Sequence, residues 1–217
     1  NIRINAGARK SDDETYLSEQ MLKSAAETGA PEDFLVVMEA ATKYSEPDFK
    51  IGVEYDVSEN SMLYADWSSS YRAVGYVLKQ MDPERIYAYT VGSKNRFFGN
   101  KVQVNVSAFY YDYKDKVEEF GRVADPDNNR ATDLGTVTNG QLRKYGVDVE
   151  ASTIITKNDR LDFSISYLNS EYTELEFDFV NPRFQDQDYT GKPETFCPDW
   201  TLTAKYSHNF NLPNGGT

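Results

Sequence analysis

The chain has 217 residues, 39% of them hydrophobic, and a formal charge of −12 from 23 lysines and arginines against 35 aspartates and glutamates. That acid excess cannot neutralise phosphates in bulk and excludes nucleic acid as a partner, while one cysteine, Cys197, and one histidine, His208, exclude an internal disulfide and a multi-histidine metal site. No run of about eighteen apolar residues occurs, which excludes a transmembrane helix; strands stay open, because a barrel strand crosses a membrane with about ten residues of alternating polarity.

Taken in chain order, the first residues, NIRINAGARK, already alternate: Ile2, Ile4, Ala6 and Ala8 oppose Arg3, Asn5, Gly7 and Arg9. A signal peptide is therefore expected to lie outside this sequence or to have been removed. The connection at 10–47 contains Leu17, Met21, Leu22 and Ala25, then Phe34, Val37, Met38 and Ala41, at spacings that permit one or two short helices separated by Pro31. A gating role for these helices is weighed against simple packing, which amphipathic spacing more often means.

Next come Phe49, Ile51, Val53 and Tyr55, wholly apolar, against Lys50, Gly52, Glu54 and Asp56. Leu63, Ala65 and Trp67 oppose Tyr64, Asp66 and Ser68, and a less clear strand carries Tyr87, Tyr89 and Val91. Alternation is strict in Val102 to Tyr110, in Tyr145 to Ala151, in Leu161 to Tyr167 and in Trp200 to Tyr206. The template yields about eight strands.

Connection lengths alternate as well. Short polar turns are expected at 57–60, 98–100, 157–159 and 212–216, and long polar connections near 10–47, 72–85, 115–139 and 171–198. A soluble sandwich has no reason to keep its long loops at one end, whereas outer-membrane barrels join strands by short periplasmic turns and long extracellular loops. Charges fall on one strand face: Arg3, Arg9, Lys50, Glu54, Asp56, Asp66, Lys94, Arg96, Asp148, Glu150, Asp162 and Lys205. Tyr55, Trp67, Tyr110, Tyr145, Tyr167, Trp200 and Tyr206 fall on the other, where amphipathic rings at headgroup level would form girdles. Acidic stretches such as ADPDNNRATD lack ligand spacing and read as solvated loop, so no metal and no cofactor is expected.

Three segments then resemble the barrel of TonB-dependent outer-membrane receptors: IGVEYDVSENSMLYADWSSSYRAVGY, PERIYAYTVGSKNRFFGNKVQVNVSAFYYDYKDKV and KYGVDVEASTIITKNDRLDFSISYLNSEYTEL. They occur in family order, and the likeness resumes from Pro198. Departures are the Val74-Gly75 pair, where two glycines are usual, and the tyrosine-threonine pair Tyr89-Thr90, where tyrosine-glutamate is common.

The resemblance implies an all-β, antiparallel, up-and-down transmembrane β-barrel, of which residues 1–217 are about eight strands of about 22. The plug domain is expected outside this chain, which reads as an internal piece, or the ordered portion, of a larger receptor. It further implies residence in the outer membrane of a Gram-negative bacterium, contact with outer-membrane lipid, coupling to TonB through the plug, and uptake of a scarce nutrient such as a ferric siderophore, without enzymatic activity. The ligand candidates are rim and loop tyrosines, Tyr111, Tyr113, Tyr172 and Tyr189, whose rings can stack on a bound molecule. The competing readings are a complete eight-stranded barrel, an outer-membrane barrel with no transport role, and a soluble all-β carbohydrate-binding module.

Overall fold

In a computed structural model, residues 1–23, 34–74, 82–120, 123–124, 131–132, 136–177 and 187–210 are described. Eight strands form one antiparallel sheet: β1 (Ile2–Lys23), β2 (Phe34–Ser58), β3 (Ser61–Arg72), β4 (Glu84–Phe97), β5 (Val102–Phe120), β8 (Thr136–Ile154), β9 (Asp159–Glu174) and β12 (Trp200–His208). Two small hairpins stand apart from it, β6 (Val123–Ala124) with β7 (Ala131–Thr132) and β10 (Glu176–Phe177) with β11 (Gln187–Asp188). The long strands are hydrogen-bonded in sequence order, which is an up-and-down meander. Among the described residues β1 and β12 do not pair with each other, so the sheet is an open wall and not a closed eight-stranded barrel.

Register gives every alternation its meaning. One row of cross-strand partners runs Ile4, Val53, Ala65, Val91, Ala108, Val147, Tyr167, Trp200 across all eight strands. The row one step toward the short turns runs Ile2, Tyr55, Leu63, Ser93, Val106, Val149, Ile165, Leu202. A one-residue slip at any ladder would turn a charged set into these rows, so the greasy face locks the register. That face is not covered: Ile4, Val53, Val91, Val147, Trp200 and Leu202 are all exposed. A sandwich would bury it against a second sheet. Instead the band runs from Val102 to Tyr110 along β5, about 30 Å of strand at about 3.4 Å per residue. Reduced by a tilt of about 40°, it approaches the apolar height of an outer-membrane barrel.

The band ends in rings. Trp67, Tyr89, Tyr110 and Tyr145 are successive partners in one row at the end that carries the long connections. Tyr167 and Trp200 meet one row lower, with ring centroids 4.9 Å apart. On the opposite face lie the twelve charged residues expected there, in register with one another: Asp56, Met62, Lys94, Asn105 and Glu150 make one row, Arg96, Gln103, Ser152, Asp162 and Lys205 the next. A polar hollow of about 340 Å³ opens here, lined in part by Asn105, Glu150, Asp162 and Lys205.

Two large rings on this polar face lie flat across the sheet. Tyr64 pairs with Gly92, and a Cβ on that glycine would sit 2.6 Å from the ring; Phe109 pairs with Gly146, where a Cβ would sit 2.7 Å from the ring and 2.1 Å from the Tyr167 carbonyl oxygen. Each ring covers backbone that a side chain would otherwise shield.

Three of the short turns lie where expected, between β2 and β3, β4 and β5, and β8 and β9. The second uses left-handed backbone at Phe98, Gly99 and Asn100 in succession. The fourth, at 212–216, lies outside the described residues. The helices expected at Leu17–Leu22 and Phe34–Ala41 are corrected: β1 runs unbroken to Lys23 and β2 starts at Phe34, paired residue for residue out to Lys23 and Phe34. Extending an existing ladder costs no new nucleus, whereas a short helix in the same segment must form one. Ala25 and Pro31 lie outside the described residues. Strand likewise extends into the connections expected near 115–139 and 171–198, because β5 reaches Phe120, β8 starts at Thr136 and β9 reaches Glu174.

Candidate functional site

The buried apolar residues of the described chain sit beyond the aromatic row, at the long-connection end: Val117, Leu142, Tyr172, Leu175 and Phe177. Leu142, Tyr172, Leu175 and Phe177 form one cluster, with Tyr113 and Tyr189 packed against it. Three of the four tyrosines singled out in the sequence are thus brought together. The Tyr189 ring meets Phe177 edge-on at 5.8 Å. Tyr172 is buried, and its hydroxyl donates to Glu118 at 2.7 Å. Tyr111 lies apart, on the polar face, stacked on Phe109 at 4.8 Å.

A bulge aims this end of β5. Tyr113 pairs with Leu142 and Lys116 with Gly140, so β5 spends one residue more than β8, and Asp115 takes up the excess with φ of 54°. Without it Lys116 would point to the outer side; with it Tyr113 and Lys116 both point inward. The carbonyl of Asp115 accepts from Asn139 Nδ2 at 2.7 Å, which pins the kink.

Inside this curve four charges converge. Lys116 pairs with Glu118 and, at 3.3 Å, with Glu194; Lys144 of β8 pairs with the other Glu194 oxygen at 2.5 Å. The Lys144 ammonium also stands 5.4 Å over the Tyr113 ring, a cation–π contact. Burial alone would lower the Lys116 ammonium, but Glu118 and Glu194 outweigh it and raise its pKa. Burial alone would raise Glu194, yet Lys144 and Lys116 outweigh it and hold the carboxyl below its usual value. Burial pushes the Tyr172 hydroxyl up, and its bond to Glu118 adds to this. Lys116 and Glu194 are therefore both ionised over the neutral range. Sequence reasoning found the tyrosines but neither lysine nor Glu194, since three charged residues scattered over β5, β8 and a proline-flanked loop carry no shared spacing.

At the other end Asp159 accepts from Thr156, from Tyr206 at 2.6 Å and pairs with His208 at 2.6 Å, closing the β8–β9 turn onto β12. Those bonds, that from His208 foremost, hold its carboxyl below the usual range. Cys197 precedes β12 and His208 ends it, so the two lie at opposite ends of one strand and do not make a pair. The arrangement is a wall with a lipid-suited outside, a polar inside and a charged, aromatic mouth.

A family model described as TonB dependent receptor-like, beta-barrel matches residues 1–217. The chain belongs to this family. Its fold is that of a stretch of a large receptor barrel, and the family is one of receptors, not of enzymes. Similar solved structures include the ferric-catecholate import receptor Fiu from K12 E. coli in its closed form, with TM-score 0.66 and 15% identity over 95% of this chain and 30% of that one. The ferric yersiniabactin uptake receptor FyuA from Yersinia pestis gives TM-score 0.65 and 16% identity over 98% of this chain and 29% of that one. The siderophore receptor PiuA from Acinetobacter baumannii gives 0.65 and 16% over 95% and 28%. The chain spans less than a third of each of these proteins, and at such identities the likeness is one of fold.

Proposed function

We propose that this chain is part of the wall and mouth of an outer-membrane receptor that takes up a scarce nutrient, foremost a ferric siderophore, with energy delivered through TonB. The observation that carries the reading is the two-faced wall in a chain matched by the receptor family over residues 1–217: an exposed apolar band suited to lipid, backed by a polar face suited to water and protein. In this reading the plug of the whole receptor sits against Arg3, Glu54, Asp148 and Lys205, and residues near 10–47, 72–85, 115–139 and 171–198 face the cell exterior. The flattened rings of Tyr64 and Phe109 leave the lumen clear for the plug.

Tyr111, Tyr113 and Tyr189 are the proposed ligand contacts, all on or beside the polar side of the mouth. Tyr172 serves the same site as a support, because its ring is core and its hydroxyl is engaged.

The test is uptake. A strain lacking the gene, starved of iron, is fed radiolabelled ferric siderophores of the catecholate, hydroxamate and carboxylate classes. Loss of accumulation of one class, restored by the intact gene and dependent on TonB, is the expected outcome. Unchanged accumulation of every class sinks the siderophore reading, and the same assay with other nutrients then tests the broader one.

A further inference from the structure

Beyond Tyr167 the β9–β12 ladder is irregular. The amide of Leu168 donates to the Asp199 carbonyl and that of Tyr172 to the Lys192 carbonyl, both near 2.8 Å or 2.9 Å. Between those two bonds the strand partner of β9 spends three residues more than β9 itself, so Pro193–Pro198 leaves the ladder. Phe196, at the crest, has φ of 58° and is fully exposed. A bulky residue in left-handed backbone is strained, and strain of this kind persists where something else holds the segment.

What holds it is Glu194. Its two carboxylate oxygens each take a different ammonium, Lys116 from β5 and Lys144 from β8, and all three side chains are about four-fifths buried. This is the geometry that a free carboxylate, a catecholate oxygen pair or a phosphate offers to two lysines. Neither ladder flanking the site depends on Glu194, so its departure leaves the strand pairing intact.

We propose that Lys116 and Lys144 form an anion-binding site at the mouth of the lumen, which the chain fills with its own Glu194 carboxylate until an anionic ligand displaces it. The ligand class is an oxyanion-bearing chelate, and Tyr113, already under the Lys144 ammonium, gives its ring a face to stack on. Displacement frees Pro193–Pro198 and lets Phe196 leave its strained backbone. The inference deepens the uptake reading and rests on it for the identity of the cargo, but the anion site stands on the two lysines, of which Lys116 keeps Glu118 as a second partner when Glu194 leaves.

The experiment uses the full-length receptor in detergent, titrated with the trianion iron(III) tris-catecholate, with neutral iron(III) tris-acetohydroxamate and with inorganic pyrophosphate. E194Q, which removes the internal competitor, is expected to bind both anions at least about fivefold more tightly than wild type while the neutral complex is unchanged. The gain is expected to vanish in E194Q/K144Q. In the wild type, saturating pyrophosphate is expected to raise protease cleavage within 193–198 severalfold, a readout that needs no variant to fold.

No gain for either anion in a folded E194Q, an equal gain for the neutral complex, or no change in cleavage overturns the proposal. Failure of the uptake reading looks different: cells accumulate every ferric complex normally while the anion effects in E194Q persist.

Discussion

The membrane band and the mouth are built from the same strands by different rules. In the band, from Val102 to Tyr110 on β5 and its partners, parity sets the character of most residues: outward ones are mainly apolar and inward ones mainly polar, with Ser93 and Phe109 among the exceptions. Above the row of Tyr110 and Tyr145 that rule stops. Asp112, Arg143 and Glu171 follow on the outer face, and the buried cluster of Leu142, Tyr172, Leu175 and Phe177 gathers on the inner one. Lipid imposes one demand on the whole band, whereas the mouth must supply its own core from local contacts. The band is therefore repetitive and the mouth singular.

The largest way to break that contrast is to place a charge in the band. Val106 lies mid-band between Ser93 and Val149 and is exposed. Val106→Arg is expected to cost about 2–4 kcal/mol in a bilayer and to reduce the heat-modifiable folded form sharply. Ser107→Arg, one row away on the inner face and opposite Asp148, is expected to fold normally. Equal damage from both would mean that the outer face does not meet lipid.

The mouth is broken from within. Leu142 is the one large side chain among the described residues that is fully buried. Leu142→Ala is expected to cost about 2–4 kcal/mol, felt as faster proteolysis beyond the aromatic row while the band stays protected. If the band unfolds together with the mouth, the two regions are one cooperative unit.

How legible each region was in the sequence follows the same division. Ile51, Val53 and Tyr55 against Lys50, Gly52 and Glu54 announce a strand with two faces, because a lipid-facing wall repeats with period two. Segment 17–23 misled: Leu17, Met21 and Leu22 have helical spacing, yet above the band no lipid enforces alternation, and the existing β1–β2 ladder decides the conformation. At the mouth the rings of Tyr113, Tyr172 and Tyr189 were readable as rim aromatics. Their gathering was not, because it depends on the bulge at Asp115 and on a loop that returns Glu194 to β5 and β8.

Glycines sharpen the comparison within the band. Gly146→Ala would drive a methyl onto the Tyr167 carbonyl, 2.1 Å away, and backbone cannot swing aside; about 1–3 kcal/mol of destabilisation is expected. Gly92→Ala meets only the far end of the Tyr64 ring, which can turn into the lumen, so its expected effect is smaller. Gly52→Ala finds its nearest neighbour at 3.4 Å and is expected to be silent. Chemical denaturation of the refolded barrel ranks the three, and the reverse order would mean that the rings do not lie flat.

The smallest expected effect is a pH response confined to the mouth. Glu194 is held below its ordinary value of 4.5, so the stabilisation it brings is present above that pH and is lost as pH falls through the lower folded value. Lys116 is raised above 10.5, so its share is present below that pH and is lost as pH rises through the higher folded value. Between these limits Glu194 stays bridged between the lysines. Hydrogen exchange, corrected for the intrinsic effect of pH, is expected to show extra opening at 192–199 below about pH 4.5, with the Val104–Tyr110 amides unmoved. E194Q is expected to open 192–199 at neutral pH and to abolish the acid limb, since no carboxylate remains to protonate. An acid limb that survives in E194Q would assign the response to another group and leave the bridge without a role in closing the mouth.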